Sequence, residues 1–270
     1  MRFPTTGCRG KEAGMPWHNG LRSALLALIL ILMLAGSAQA NPIYIPPDPP
    51  IFKAIKDGNA VQVEAMLAAD PALLSLRHPY SRSSLLHFAI GERKKDVVRV
   101  LLDRAADMDE VNSSGETLLF HAWEPEIATL LLDRGAKIDA RNKNGETPLI
   151  SEAFVEDFLA VLIKRGANVM ATANDGSTAL HVAARTRSQL SLKRLLAAGA
   201  NVNAVTADGA TALHVAAANE CNECVDLLLG AGAEINARDN SGHTPLWMAL
   251  HNFSREKRAA DVLIRNGAKQ

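Results

Sequence analysis

The sequence predicts an all-α fold, a solenoid of about seven stacked helix-turn-helix repeats with β-turn fingers between them. Three observations predict it. A block of the form Thr-Ala/Pro-Leu-His/Trp-x-Ala recurs along the chain, a Leu-rich segment ending in Gly-Ala follows most blocks, and a Gly lies two residues before most of them. A fixed period between about 20 and 50 residues is typical of a stacked array.

The blocks define the register of the array. The three fullest copies, at residues 178–183, 211–216 and 244–249, begin 33 residues apart. Upstream copies diverge more, and the weakest reads Pro-Pro-Ile-Phe-Lys-Ala at residues 49–54. The repeat signatures therefore lie near residues 49, 84, 117, 147, 178, 211 and 244, and we assign residues 49–270 to one repeat domain.

A second amphipathic helix is predicted after each block. Leu recurs at spacings of three and four, as at residues 127–132 and 224–229, which makes one apolar stripe on a helix. The Gly that follows can adopt the left-handed conformation that ends a helix. One repeat cannot bury its own stripe, so its neighbours must cover it, and each fully buried Leu contributes about 1.5–3 kcal/mol.

Tight turns are predicted just before the blocks. Pairs such as Asn144-Gly145 and Asp208-Gly209 tolerate the positive φ angles of such turns, and these turns should project as fingers. The block near residue 84 has Arg82 where the five later copies have Gly, which predicts an irregular finger.

The recurrent block resembles the signature of the ankyrin repeat family, T-P-L-H-x-A on a period of 33 residues. The resemblance extends over about residues 49–270. It implies a helical stack that recognises proteins through a concave face of finger tips and first helices, without catalysis. Within the family, the chain resembles exported bacterial members that carry a signal peptide.

The N-terminus is unlike the repeats. Arg22 precedes an apolar run from Ala24 to Ala35, and small residues up to Ala40 suit a signal peptidase. A membrane-spanning helix needs about 20 apolar residues, more than this run contains. We therefore expect a cleaved signal peptide at residues 1–40, a Pro-rich lead-in at 41–48, and a periplasmic or secreted protein. Met15 is a second candidate for the initiator.

Charge excludes two classes of partner. Residues 1–40 contain four basic residues and one acidic residue, so the rest of the chain has 25 Lys and Arg against 28 Asp and Glu. These charges are spread thinly, whereas binding to nucleic acid or to an anionic membrane needs a concentrated basic surface. Neither partner is expected.

Two intervals depart from the period. The blocks at 117, 147 and 178 are separated by only 30 and 31 residues, so part of the first helix or its turn is missing. Proline is tolerated at a helix start, so the second helix of the third repeat should begin near Pro125. The shortening is either drift in a loop or a pocket or kink shaped for a partner.

The signature Thr and His favour a structural interpretation. The Thr hydroxyl can cap the helix start, and His87, His181 and His214 can bond to it and to the turn. Their spacing places them in separate repeats, which disfavours a shared catalytic or metal site. The environment of His121, one residue out of register, is not predicted.

Cys221 and Cys224 form the only cluster of side chains that suggests covalent, redox or metal chemistry. In an exported protein, cysteines one helical turn apart favour a disulfide. Two alternatives remain: a redox-active thiol pair, and a core Cys224 with Cys221 at an exposed turn. One Cys-x-x-Cys is half a zinc site, and no second pair follows.

The resemblance places candidate partner-binding residues at the finger tips and after the first helices. They are Ser113, Ser114, Trp123, Lys143, Asn144, Asn174, Asp175, Arg185, Asp208, Asn219, Asn240, His251 and Asn252. Trp123 stands out, because aromatic side chains often anchor interfaces. The alternative is that Trp123 fills the space left by the shortened hairpin.

The predicted function is a non-enzymatic, monomeric, exported scaffold that binds a protein partner and needs no cofactor or metal. A thiol-redox protein using Cys221 and Cys224 is one alternative, and an effector secreted toward a host is another. No dinucleotide loop or Ser-His-Asp arrangement can be argued from the sequence.

Overall fold

The computed structural model describes residues 48–251 and 258–269 of the 270-residue chain. Within these ranges it contains thirteen α-helices, two 3-10 helices and three isolated antiparallel bridges, and no strand. The expected signal peptide, the lead-in as far as residue 47, and candidate residue Asn252 lie outside the described residues.

The helices alternate between a first and a second helix of each repeat. In chain order they are α1 (Pro50–Lys56), α2 (Ala60–Ala69), α3 (Leu85–Gly91), α4 (Lys95–Asp103), α5 (Pro125–Asp133), α6 (Pro148–Ser151), α7 (Glu156–Lys164), α8 (Ala179–Arg185), α9 (Gln189–Ala197), α10 (Ala212–Ala218), α11 (Asn222–Gly230), α12 (Pro245–His251) and α13 (Arg258–Arg265). One 3-10 helix, Pro71–Ser75, follows α2. The other, Leu118–His121, replaces the first α-helix of the third repeat.

First helices pack against first helices, and second helices against second helices. Helix α10 contacts α8 and α12, while α11 contacts α9 and α13. The core lies between the two layers, where Leu180 and Leu213 from first helices meet Leu195 and Leu228 from second helices. A first helix, α or 3-10, begins at the second residue of each of the seven predicted blocks, so the predicted solenoid is confirmed.

Glycine ends second helices in the way that the sequence predicts. After α5, Gly135 has φ of 94°, and the N–H of Ala136 donates to the carbonyl oxygen of Leu131 (3.0 Å). This bond satisfies a carbonyl that the helix leaves open and turns the chain toward the next finger.

Close packing between fingers explains the glycine at their tips. Gly145 has φ of 73°, and a Cβ built there would lie 2.2 Å from Oδ1 of Asn174 in the next finger. Both the backbone angle and the neighbour exclude a side chain. The first finger is irregular, as predicted: Arg82 takes φ of 60°, and the turn closes between His78 and Ser83, one residue wider than the turn between Asn112 and Glu116.

The two short intervals shorten the first helices. The 3-10 helix of the third repeat and α6 of the fourth each contain four residues, whereas α3, α8, α10 and α12 contain seven. Helix α5 begins at Pro125, as predicted. Because the second helices keep nine residues in both repeats, the lost length falls on the first helix and its turn.

Two signature histidines connect consecutive repeats. The N–H of Thr178 donates to Nδ1 of His181 (3.2 Å), and Nε2–H of His181 donates to the carbonyl oxygen of Ala210 (3.1 Å). His214 makes the same bonds with Thr211 (3.1 Å) and with the carbonyl oxygen of His243 (3.1 Å). These histidines have the structural role expected of them.

The third repeat lacks this arrangement. Phe120, fully buried, occupies the position of the signature histidine. Within the described part of the chain, the buried hydroxyl oxygen of Thr117 has no hydrogen-bond partner. The departure from the signature therefore exchanges a polar link between repeats for apolar packing.

Ion pairs also join second helices in the first half of the stack. Arg134 pairs with Asp103 and Arg165 with Asp133, both at 2.7 Å, and Arg104 pairs with Glu64. Each Arg directly follows a second helix and reaches back one repeat. These groups are partly exposed, so solvent screens the pairs and each contributes little to stability.

Candidate functional site

Backbone hydrogen bonds link the fingers to one another. From the third finger onward, an N–H of each finger donates to a carbonyl oxygen of the finger before it. The pairs are Lys143 to Ser114 (2.9 Å), Asn174 to Asn144 (2.8 Å), Ala207 to Asp175 (2.7 Å) and Asn240 to Asp208 (2.9 Å). Most of the predicted partner-binding residues of the fingers thus take part in this ladder through their backbones, which leaves side chains to face a partner.

Some of these side chains also have structural partners. Nδ2 of Asn174 donates to the carbonyl oxygen of Lys143 (3.1 Å), and Nδ2 of Asn240 donates to that of Ala207 (2.8 Å). These two asparagines therefore stabilise the row of fingers. Sequence reasoning assigned them to binding because exposed asparagine at a finger tip suits both roles.

Asp175 is held within its own finger. Its carboxylate accepts hydrogen bonds from the backbone N–H and the hydroxyl of Ser177, both at 2.9 Å. The backbone N–H of Ser177 is the main cause that lowers the pKa of Asp175. The finger tip therefore presents a carboxylate whose charged form is favoured.

The candidate residues fall into two groups along the first helices. The finger residues precede these helices, while Trp123, Arg185, Asn219 and His251 lie at or after their ends. Asn219 is half-buried and donates to the carbonyl oxygen of Val215 (2.8 Å), whereas the other three are exposed. The structure therefore places the two groups at opposite ends of one helical layer.

Trp123 lines a cavity of about 270 Å³ between the second and third repeats. Its side chain is 41% exposed, and the indole N–H donates to the carbonyl oxygen of Phe120 (3.0 Å). Phe120, and not Trp123, is fully buried in the shortened hairpin. Trp123 is thus held in place by its own repeat while one part of its surface faces solvent.

Two stacked imidazoles form another wall of this cavity. The rings of His87 and His121 lie 4.9 Å apart between centroids, 28° from parallel. Burial lowers the pKa of His87, and the neighbouring His121 acts in the same direction. Nε2 of His121 lies 3.3 Å from a carboxylate oxygen of Glu116 and 3.4 Å from Nδ2 of Asn112, so its ring is also held.

A second aromatic cluster was missed by sequence reasoning. Trp247 lies between the rings of His243 and His251, with centroid distances of 3.5 Å and 4.3 Å and interplanar angles of 14°. Trp247 occupies the position of the signature histidine and is 37% exposed. The sequence signal that could have identified this cluster was a tryptophan in place of the signature histidine.

Glu152 is another residue that the sequence did not single out. It lies in the shortened fourth repeat, where Ser151 donates to its Oε1 (2.9 Å), while within the described residues its Oε2 has no partner. Burial raises the pKa of Glu152, and the carboxylates of Glu116 and Glu146 act in the same direction. The third and fourth repeats, which are shortened, therefore each contain a buried oxygen without a partner in the described residues, in Thr117 and Glu152 respectively.

The structure joins Cys221 and Cys224 by a disulfide, with the Cα atoms 5.1 Å apart. Sγ of Cys221, at the start of α11, accepts a hydrogen bond from the N–H of Cys224 (3.3 Å). Cys224 is fully buried, as the core interpretation expected, whereas Cys221 is only 1% exposed, so its expected position at an exposed turn is wrong. The oxidised state in solution stays a prediction.

Two further properties concern only the described residues. They contain no group of three or more His, Cys, Asp or Glu side chains that could hold a metal ion. None of their helices has the length and apolar character needed to cross a membrane.

A family model described as ankyrin repeats matches the chain in three copies, at residues 30–142, 122–206 and 187–270. The chain belongs to the ankyrin repeat family. The ankyrin repeat domain of Bcl-3, described as a unique member of the IkappaB family, is 27% identical, with a TM-score of 0.67 over 82% of this chain and 100% of that domain. The ankyrin repeat domain of human ASB11 (22% identical, 82% of this chain, 99% of that one, TM-score 0.72) shares the fold.

The curated relatives of this ankyrin chain include plant proteins that match it over short segments. A probable E3 ubiquitin-protein ligase, XBOS33, of Oryza sativa subsp. japonica is 36% identical over 72 residues, 27% of this chain and 14% of the relative. A putative E3 ubiquitin-protein ligase, XBAT31, of Arabidopsis thaliana is 31% identical over 76 residues, 28% of this chain and 17% of the relative. These relatives do not support the narrower resemblance to exported bacterial proteins.

As an ankyrin repeat protein, the chain has the architecture of a protein-binding scaffold. Its finger row is held by backbone bonds, and its first helices end in exposed side chains. No third ionisable group accompanies the described cysteines or histidines in a metal-binding arrangement. The ankyrin fold is typically non-enzymatic.

Proposed function

We propose that this protein is an exported, non-enzymatic scaffold that binds one protein partner through its finger tips and first helices. The observation that carries the proposal is the ladder of backbone bonds between fingers, which holds exposed side chains at fixed positions. A preorganised surface loses little conformational freedom on binding, which favours affinity.

Side chains without a role in the ladder supply the contacts. Lys143 and Asp208 are exposed in separate fingers, while Arg185 is exposed at the end of α8. Charged groups on such a rim mainly select the partner and accelerate association. Trp123 adds an aromatic surface of the kind that often contributes most of the binding energy.

Affinity capture tests the scaffold function. The immobilised protein is exposed to periplasmic extract, and bound proteins are identified by mass spectrometry and titrated in purified form. A variant with Lys143→Glu and Asp208→Lys should weaken the interaction at least tenfold, whereas the control Lys193→Glu, at an exposed position of α9, should not. A captured protein that binds both variants equally, or failure to capture any saturable partner, would contradict the proposal.

Export and the monomeric state are separate parts of the proposal. The apolar run and the small residues before Asn41 support cleavage after Ala40. Mass spectrometry of the protein from fractionated cells should give Asn41 as its first residue in the periplasmic or secreted fraction. Intact protein in the cytoplasm would contradict export, and a concentration-dependent dimer in ultracentrifugation would contradict the monomer.

The ligase names of the plant relatives are not extended to this chain. The matched segments make up 14% and 17% of those relatives. Matches of this length show only that the repeat sequences are similar. The ligase activity of a whole relative cannot be assigned from so small a part of it.

A further inference from the structure

The cavity beside Trp123 arises from a mismatch between neighbouring first helices. Helix α3 has seven residues, while the 3-10 helix packed beside it has four. The last turn of α3, with Ile90 and Gly91, therefore lies next to the loop that carries Trp123 and lines the cavity. A Cβ built on Gly91 would meet no atom within 4 Å, so there is free space beside this residue.

The size of the cavity limits what it can hold. Its volume of about 270 Å³ is below the range of about 300–1,000 Å³ that is typical of small-molecule sites. One large side chain of a protein partner would occupy a space of this size. Hot-spot residues of protein interfaces are commonly such side chains, seated in pockets of this kind.

The two charged residues that line the cavity pair with each other. At its rim, a guanidinium nitrogen of Arg93 lies 3.2 Å from a carboxylate oxygen of Glu124. Inside, burial lowers the pKa of His87, which favours the neutral imidazole at neutral pH. A charged side chain would lose its hydration here without gaining an opposite charge, so an uncharged one fits best.

The walls are held in position before any partner arrives. Trp123 donates to the carbonyl oxygen of Phe120, and His121 lies against Glu116 and Asn112. Flat faces of indole and imidazole favour an aromatic or broad aliphatic group in offset or edge contact. A fixed pocket also avoids the entropic cost of ordering these side chains on binding.

From these contacts we propose that the cavity lined by His87, His121 and Trp123 receives one large uncharged side chain, aromatic or aliphatic, from a protein partner. The inference rests on the proposed scaffold function and specifies its main anchor. It assigns a binding role to the shortened third repeat, which breaks the regular ankyrin register.

Gly91 and Gly230 offer a matched pair of substitutions. Each is the last residue of its helix, neither is among the residues with positive φ, and a Cβ at either would meet nothing within 4 Å. Gly91→Leu adds a side chain at a residue that lines the cavity, whereas Gly230→Leu adds the same side chain to a second helix four repeats later. Both variants should fold, because leucine favours a helix more than glycine does.

The probe is a phage-displayed library of random 12-residue peptides, selected on the full-length protein. We expect selected peptides to share one Phe, Tyr, Trp, Leu or Met at a fixed position. Gly91→Leu and Trp123→Ala should each weaken their binding about thirtyfold or more, the range of a hot spot. Gly230→Leu should bind them within about twofold of the unsubstituted protein.

Four outcomes would overturn the inference. The selected peptides lack a shared apolar residue, or the Gly91→Leu variant binds them as well as the Gly230→Leu variant does. A concentration-dependent dimer that Gly91→Leu abolishes would assign the cavity to a second copy of the chain. If only the Lys143→Glu and Asp208→Lys variant loses peptide binding, the result supports the scaffold function and contradicts the role of the cavity as the anchor.

Discussion

Nε2 of His181 and the carbonyl oxygen of Ala210 lie 3.1 Å apart, although 29 residues separate them in the chain. The same ring accepts the N–H of Thr178 at Nδ1. One neutral imidazole therefore caps its own helix and binds the next finger. A protonated ring could not keep both bonds, because Nδ1 would no longer be an acceptor.

Acid should therefore destabilise the stack. Burial lowers the pKa of His181 and of His214, so below about pH 6.5 the unfolded chain binds more protons than the folded one. Stability rises with pH wherever the unfolded state binds more protons, so it must fall as the pH drops through this window. We expect the urea midpoint to decrease steadily between pH 7.5 and 5.5.

The variant His181→Phe supplies the control, because the third repeat already has Phe120 at this position. It should be less stable than the unsubstituted chain at pH 7.5, with a flatter dependence on pH. Parallel pH profiles for the two proteins would show that His181 is not a source of the acid sensitivity.

Replacing the signature Thr by Val should have different effects on stability at two positions, because the hydroxyl of Thr117 has no partner in the described residues and that of Thr211 has one. Thr211→Val removes a cap and a buried hydrogen bond, which should lower the free energy of unfolding by about 1–2 kcal/mol. Thr117→Val removes a buried oxygen without a partner in the described residues, and it should be neutral or slightly stabilising. Urea denaturation at pH 7.5 compares them, and equal losses would argue against this difference.

Phe120 and Trp123 should differ sharply as stability determinants. Phe120 is fully buried, so Phe120→Ala should lower the free energy of unfolding by about 3–5 kcal/mol. Trp123 is 41% exposed, and Trp123→Ala should lose less than half of that amount. Thermal or urea denaturation measures both. A larger loss for Trp123→Ala would assign its side chain to packing and not to an anchor.

Alkylation should detect the disulfide only after unfolding, since both cysteines are buried. In urea without reductant, the signal-free protein should take up no label, and reductant should add two labels. Closing a loop of about four residues should contribute about 2 kcal/mol in the chain-entropy description, so reduction should lower the urea midpoint. Equal labelling of the unfolded protein with and without reductant would contradict the disulfide.

Regular features of the stack were predictable because each depends on neighbours within one repeat. The helix start at Pro125, the helix end at Gly135 and the wider first finger at Arg82 follow from residue types at a few adjacent positions. Local backbone preferences determine these features, and they recur wherever the same residues recur.

The roles of individual surface residues were less predictable. Asn174 and Asn240 were assigned to a partner, yet their side chains bind the preceding finger. Trp247 was not selected, although it stacks between two histidines. For the two asparagines the deciding contact comes from another repeat. The two histidines lie four residues before and after Trp247, so the helical spacing within one repeat brings the three rings together.

The sequence by itself determined the repeat number, the alternation of helices and fingers, and the positions where the period breaks, since all of these are written in residue types at short spacing. Only the tertiary structure decided what the breaks produce. The shortened third repeat places Trp123 and His121 beside Gly91 and His87 of the repeat before it. That cavity depends on how two helices of unequal length pack, which short-range sequence patterns do not encode.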